Sequence, residues 1–332
     1  MVVIPKDERY KKQVIAGIEG RNKGHHFEES ISDEINKLSA ADMNGPLTGS
    51  YHIYQGNPAQ LLISYIAGDK GKFIKKVTSY WIGGLATSNL GDSVVDGEMI
   101  RGSKSDILLN VEYEDGTKEF VGISVKACSN NAQMALTSAT VFCKMLRENG
   151  ISVSEQAEIG LKMFCGDVGF RPMDGFVPGN TENIPVERKA RPERWYWEEL
   201  ADDVQKEWEG IFNDKQIVIT MLLLQTARAY KTDKFKPQYI LHECNPHIDI
   251  NACEVAIISI NEFAIYSQLY DRFGTKGRRI NKGSYKGIDL AIHQYPYFGF
   301  IQFQPIGNKQ NFSELQFNLM ASYYKKFKDL KE

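Results

Sequence analysis

Cysteine is scarce in this 332-residue chain: Cys128, Cys143, Cys165, Cys244 and Cys253 form no CxxC pair and no even framework. That argues against a disulfide scaffold and points to a reducing, cytoplasmic setting. Long apolar runs are missing as well. The most hydrophobic stretch, residues 217–224, is far short of the roughly 18 residues of a membrane span, so it reads as a core element. The opening Met-Val-Val-Ile-Pro-Lys carries neither an extended apolar segment nor a small-residue cleavage site, and secretion is not expected. Neither charge dominates, with 40 Lys plus Arg against 42 Asp plus Glu, so any surface for a polyanion must be a local patch. GxSxG, P-loop and GxGxxG signatures are absent, as are internal repeats. What is left, 42% apolar and 25% charged, suits one large globular domain or two ordinary ones.

The most informative stretch runs over residues 103–126. Two arms rich in apolar and β-branched residues flank Glu114-Asp115-Gly116-Thr117, which is a hairpin signal. Asp106 opens the first arm and Lys126 closes the second. A three-residue loop centred on Asp115 or Gly116 sets Asp106 opposite Ser124 or Lys126, with the other one step along the same face. A two-residue loop would put the acid and the amine on opposite faces. Brought together, an aspartate and a lysine can share a metal ion and its bound water.

Upstream, Phe27, Ile31, Ile35 and Leu38 repeat at helical spacing and predict a helix from about Gly24. Glu28 sits at the rim of that stripe. It is either a solvated first-turn acid favoured by the helix dipole or an acid leaning over the core edge toward a metal. A second helix is expected from Pro58 to Ala67. Lys70, Lys72, Lys75 and Lys76 then form a solvated charge run or a phosphate contact. Residues 81–102, rich in glycine, read as loops leading into the Asp106 strand, where backbone can approach a ligand closely.

Beyond the hairpin, residues 132–149 read as one helix (Ala135, Leu136, Ala139, Phe142, Met145, Leu146) with Gln133 on its first turn, pointing back at the hairpin end. The Pro/Gly-punctuated span 165–195 is a candidate boundary or arm. Helices are expected over 195–212, 215–230 and 261–270, and strands over 239–244, 255–260 and 297–304. Arg272, Lys276, Arg278, Arg279, Lys282 and Lys286 fall in one acid-free segment, a patch suited to phosphates. The tail holds Gln302, Gln304, Lys309, Gln310 and Gln316, whose amides and amines have the chemistry of base readout. His242, Cys244 and His247 offer zinc ligand types but lack a fourth partner in a workable spacing, and buried strand residues are the simpler reading.

Asp106, the Ser124-Val125-Lys126 strand end, the helix with Glu28 and the downstream helix near Gln133 together resemble the PD-(D/E)xK nucleases, most closely type II restriction endonucleases. The hairpin part of the likeness covers roughly residues 20–150, and residues 301–317 are similar to the C-terminal ends of some of these enzymes. The resemblance implies an α/β (α+β) fold with a restriction-endonuclease-like core, a mixed central sheet flanked by helices, and an added DNA-recognition region. Residues 1–160 would form the catalytic core and 161–332 the sheet completion and recognition region. It implies Mg²⁺ held by Asp106, a second acid and the Val125 carbonyl, with Lys126 orienting or activating the attacking water. Two positions depart from the pattern: Ser105 replaces the proline, and Ser124 occupies the slot of the second acid and supplies no carboxylate. Glu28 is the chosen replacement, with Glu98 and Glu112 as alternatives. The expected partner is double-stranded DNA, contacted through Lys104, Gln133, Arg278, Arg279, Lys282 and the tail residues. A homodimer, a cognate DNA methyltransferase in the same cell and a cytoplasmic location go with it. The alternatives are a repair or modification-dependent nuclease on the same core, or a DNA-binding protein whose site has decayed.

Overall fold

The computed structural model describes residues 8–86, 89–100, 102–127, 131–175, 194–226, 233–245, 249–282, 290–305, 314–320 and 322–330. Along the chain come α1 (Glu8–Ile35), α2 (Ala40–Met43), β1 (Gly49–Ser50), β2 (Ile53–Gln55), α3 (Pro58–Lys70) and β3 (Ile74–Trp81). Next are β4 (Val94–Val95), β5 (Glu98–Met99), β6 (Ile107–Tyr113), β7 (Lys118–Lys126), β8 (Ala132–Thr137), α4 (Ala139–Glu148) and α5 (Glu155–Cys165). The remainder is α6 (Asp202–Gln225), β9 (Pro237–Asn245), β10 (Glu254–Ser259), α7 (Ile260–Tyr270), β11 (Gly274–Arg279), β12 (Ile292–Phe298), β13 (Ile301–Pro305) and β14 (Leu315–Leu319).

The chain divides into two compact units that are interleaved in sequence. The first comprises residues 1–132, 224–263 and 321–332, the second residues 133–223 and 264–320. The first unit is built on a seven-stranded sheet in the order β1-β2-β10-β9-β7-β6-β3. Its pairings are antiparallel except β7 with β9, which makes the sheet mixed. Alternation along the strands decides its faces. Ile107, Leu109 and Val111 of β6 and Val121, Ile123 and Val125 of β7 join Ile31 and Ile35 of α1 and Leu62 and Ile66 of α3 in one apolar cluster. Leu108, of the opposite parity, packs with Ile82, Val95, Ile100 and Phe235 instead.

The β6–β7 turn is the three-residue case. Ile107 pairs with Ile123, which sets Asp106 opposite Ser124 and Lys126 one step along. Tyr113 N–H donates to Thr117 O at 2.9 Å and Gly116 N–H to Tyr113 O at 3.0 Å. Gly116 takes φ 81°, the left-handed position that closes such a loop.

The second unit carries the sheet β11-β12-β13-β14-β8. Its core is aromatic: Phe212 stacks on Phe273 (5.2 Å), Phe298 (4.6 Å) and Phe303 (5.3 Å), and Phe142 meets Phe317 at 5.0 Å.

Several elements differ from expectation. The helix expected over 132–149 is strand β8 followed by α4, because Ser138 caps α4 by accepting from Val141 N–H, and β8 joins β14 in the second sheet. Residues 297–304 are two strands, β12 and β13, joined by a turn at Gly299 with φ 52°. β3 was not anticipated; its exposed Lys75 and Lys76 hide an alternating pattern. In place of the helices expected over 195–212 and 215–230 there is one helix, α6, which starts at Asp202 after a 3-10 turn at Trp197–Glu199 and is kinked at Lys215; residues 227–230 lie outside the described set. α1 begins far upstream of Gly24.

Candidate active site

The antiparallel register delivers Asp106, Ser124 and Lys126 to one place, and three donors meet on the Asp106 Oδ2 atom. Val125 N–H donates at 2.7 Å, the Ser124 hydroxyl at 3.3 Å and the Lys126 ammonium at 3.4 Å. Lys126 Nζ donates as well to Val125 O at 2.9 Å. The lysine is 15% exposed and Asp106 22%, so this pair is largely shielded from screening by solvent. Ser124 is buried and holds the aspartate in position.

Glu28 completes the group. Its side chain is buried (8% exposed), and Trp81 Nε1–H donates to Oε2 at 3.1 Å. The glycine-rich segment after β3 explains how α1 comes so close. Ile82 and Gly83 N–H both donate to Asp106 O, at 3.0 and 2.8 Å. A Cβ on Gly83 would overlap Glu28 Oε2 and stand 3.2 Å from Asp106 Cα. Gly84 lies against the Trp81 ring and Gly91 against the Trp81 carbonyl, both too near for a side chain. These glycines permit close approach of backbone to a functional group. Burial, and then the Asp106 charge, push the Glu28 carboxyl up to about 8; the Trp81 bond and the Lys126 charge oppose this.

Lys104 is a second cation at the same locus. It is half-buried, and its ammonium is pushed down to about 8 by burial and by the Lys126 charge, with Asp106 acting the other way. Its backbone is anchored, since Lys104 N–H and the Ser103 hydroxyl both donate to Asp233 Oδ2, at 2.9 and 3.1 Å. His25, one turn before Glu28, is pushed down by burial and by the Arg21 charge, against the opposing pull of Asp106.

The alternative acids are elsewhere. Glu112 bonds Lys75 (2.7 Å) and Lys118 (2.9 Å) toward the turn end of the hairpin, and those lysines hold it down at about 2. Glu98 pairs with Lys234. Three of the four upstream lysines are committed to acids of the hairpin: Lys70 to Glu119, Lys72 to Asp115 and Lys75 to Glu112. His242 is buried and stacked on Tyr323. His247 lies outside the described residues, as does Cys128.

Glu28, Asp106 and the Val125 carbonyl are hard oxygen donors, the type Mg²⁺ takes. A buried carboxyl beside the half-buried Asp106 carboxylate, driven to hold its proton, is what a divalent cation would relieve. Among the described residues no group of three or more His, Cys, Asp or Glu could hold a metal unaided. A pair with a carbonyl is nonetheless a usual protein share for Mg²⁺, which keeps waters and takes phosphate oxygens.

In the second unit, the expected readout residues meet in part. Gln304 Nε2 donates to Gln316 Oε1 (3.4 Å), and Gln316 Nε2 to Gln133 Oε1 (2.9 Å), an amide ladder across β13, β14 and β8. Gln133 is thus on a strand of this sheet, not on a helix start. Gln302 is a correction: at 2% exposure it belongs to the interior and offers no surface amide. Arg278 and Arg279 are exposed on edge strand β11, and Lys282 is exposed beyond it. Lys276 lies over the Tyr297 ring at 4.1 Å. Lys286, Lys309 and Gln310 lie outside the described residues. Besides the burial of Gln302 and the strand position of Gln133, sequence periodicity missed the setting of Glu28 by Trp81 and Gly83, for which the glycine density of residues 81–102 was the available signal.

A mixed sheet flanked by helices, with an Asp–Lys hairpin and a helix glutamate at its strand ends, is a restriction-endonuclease-like fold. Among solved structures, the chain is similar to the restriction endonuclease MspI in its crystal structure with cognate DNA, at a TM-score of 0.50 and 14% identity over 91% of each chain. At that identity the likeness is one of fold. No protein-family model matches the chain, and no curated protein matches it in sequence.

Proposed function

We propose that the chain is a Mg²⁺-dependent, sequence-specific endonuclease of double-stranded DNA, of the type II restriction kind. The observation that carries this reading is the meeting of Glu28, Asp106, Lys126 and the Val125 carbonyl at one half-buried place. The restriction-endonuclease-like fold supports it, and the MspI structure is a complex with DNA.

Mg²⁺ held by Asp106 and Glu28 with the Val125 carbonyl would stabilise charge on the scissile phosphate and acidify a bound water. The chain's own groups do the rest. Lys126, fixed by two acceptors, presents an ammonium where a hydroxide must be held. Ser124 and Val125 N–H fix the Asp106 carboxylate, and Trp81 fixes Glu28. Lys104 supplies a further positive charge for a phosphate oxygen. Base readout falls to the Gln133–Gln316–Gln304 ladder, since an amide pairs bidentately with adenine. Backbone contact falls to Arg278, Arg279 and Lys282. Cutting both strands calls for two such sites, so a homodimer on a symmetric sequence and a cognate methyltransferase belong to the reading.

Ser124 favours a second reading, a DNA-binding protein whose site has decayed. Incubation with plasmid DNA and Mg²⁺ separates the cases: discrete bands for the restriction enzyme, a smear for a repair-type nuclease, intact plasmid for the decayed site.

A further inference from the structure

We propose that the exposed stretch of α1 over residues 17–23, with Ile15 beside it, lies in the major groove of duplex DNA next to the catalytic cluster; the proposal rests on the nuclease reading above. α1 runs from Glu8 to Ile35, and its packing on the first unit is carried by His25, whose ring meets Trp81 edge-on, and by Phe27, Glu28 and Ile31. Residues 17–23 are exposed at every position, so no side of the helix is covered there. Gly17 and Gly20 have nothing within 4 Å of an added Cβ. Each costs roughly 1 kcal/mol of helix stability relative to alanine, with no contact in the chain to offset it.

The charge arrangement selects the occupant. Between Ile15 and His26 the only acid is Glu19, whereas Arg21 and Lys23 are exposed cations. At about 100° per residue Arg21 lies on the line of Glu28, two turns or roughly 10 Å up the axis, and Lys23 lies on the opposite side. A helix with cations on both sides suits a groove between two phosphate walls. An α-helix of about 10–12 Å diameter fits a major groove about 12 Å wide, and glycines slim it further. Ile15 and Ile18, 45% and 47% exposed, are then apolar contacts of the kind thymine methyls accept. A second copy of the chain is disfavoured, because the apolar stripe stops at Ile18 and Asn22 follows on that side. The helix is continuous with the catalytic acid, which places this contact next to the cut. The Arg21 charge already acts on His25, as does Asp106.

The test uses the full chain with the double variant Arg21→Glu/Lys23→Glu, and Arg21→Gln/Lys23→Gln in case the reversal perturbs folding. Fluorescence anisotropy on a labelled random-sequence duplex in EDTA should show affinity at 0.1 M salt down by on the order of tenfold or more. The log–log salt slope should fall by about 2. Hydrogen exchange at residues 15–23 should slow when duplex is added. Unchanged affinity and slope in the variants, beside a wild type that binds and cleaves DNA, overturn this proposal alone. Exchange that slows with protein concentration in the absence of DNA overturns it too, in favour of a second copy. A wild type that binds no duplex overturns both this proposal and the nuclease reading.

Discussion

Gly83→Ala tests the catalytic geometry without replacing a catalytic side chain. The added methyl would overlap Glu28 Oε2 and lie 3.2 Å from Asp106 Cα and 3.3 Å from Asp106 O. Gly83 cannot retreat, because its N–H and that of Ile82 are both bonded to the Asp106 carbonyl. The carboxylate is therefore the part that moves, and the 3.1 Å bond from Trp81 is stretched or lost with it. Overpacking of this kind costs about 1–3 kcal/mol of stability. A displacement of about 1 Å at a metal-binding acid lowers the cleavage rate by roughly 10²-fold. Single-turnover plasmid cleavage across a Mg²⁺ titration measures the second effect, and urea unfolding measures the first. The decisive control is the same substitution in a Glu28→Ala background. There the space is open, so the Gly83→Ala penalty should shrink by at least about 1 kcal/mol, a coupling a double-mutant cycle resolves. Wild-type cleavage with an unchanged Mg²⁺ requirement, or an equal penalty in both backgrounds, would show that Glu28 does not serve the site.

Asp106→Asn and Lys126→Met should each reduce cleavage by at least about 10²-fold while duplex binding persists; robust cutting by either variant removes the assignment. For Glu28 the sign follows from a carboxyl raised to about 8 against an ordinary 4.5. The folded chain keeps a proton that the unfolded chain releases, so this stabilisation is complete below about pH 4.5, declines as pH rises, and is gone above about 8. Unfolding in EDTA should show that decline, on the order of a few kcal/mol, and Glu28→Gln should flatten it. Mg²⁺ binding must then displace the proton, so calorimetry should find half-saturation falling by up to about tenfold per pH unit between 6 and 8. Replacing Arg278 and Arg279 with glutamine should lower the salt slope of duplex binding by about 2; an unchanged slope puts the DNA on another surface.

The hairpin was legible because its determinants are local. Glu114-Asp115-Gly116 sets the loop, the loop sets the register, and the register puts Asp106 opposite Ser124 with Lys126 beside it. Glu28 was only half legible. Periodicity placed it at the rim of α1, but its burial depends on Trp81 and Gly83, which lie more than fifty residues away. β8 was misread since Ala-Gln-Met-Ala-Leu-Thr carries apolar residues at spacings that continue into α4. Only its place beside β14 in the second sheet makes it a strand. The same assembly gathered Gln133, Gln316 and Gln304 into a ladder and sank Gln302 into the interior.

The chain's own order of residues thus determined the place of the turn and the two strands flanking it, because short-range backbone chemistry suffices for both, and it left two loop lengths open until the observed register joined the aspartate to the lysine. The interleaving of the two units and the depth of Glu28 were decided by tertiary structure, as was the exposure of residues 17–23 of α1. Each depends on burial against segments distant in sequence, and burial is a property of the assembled core that no local pattern encodes.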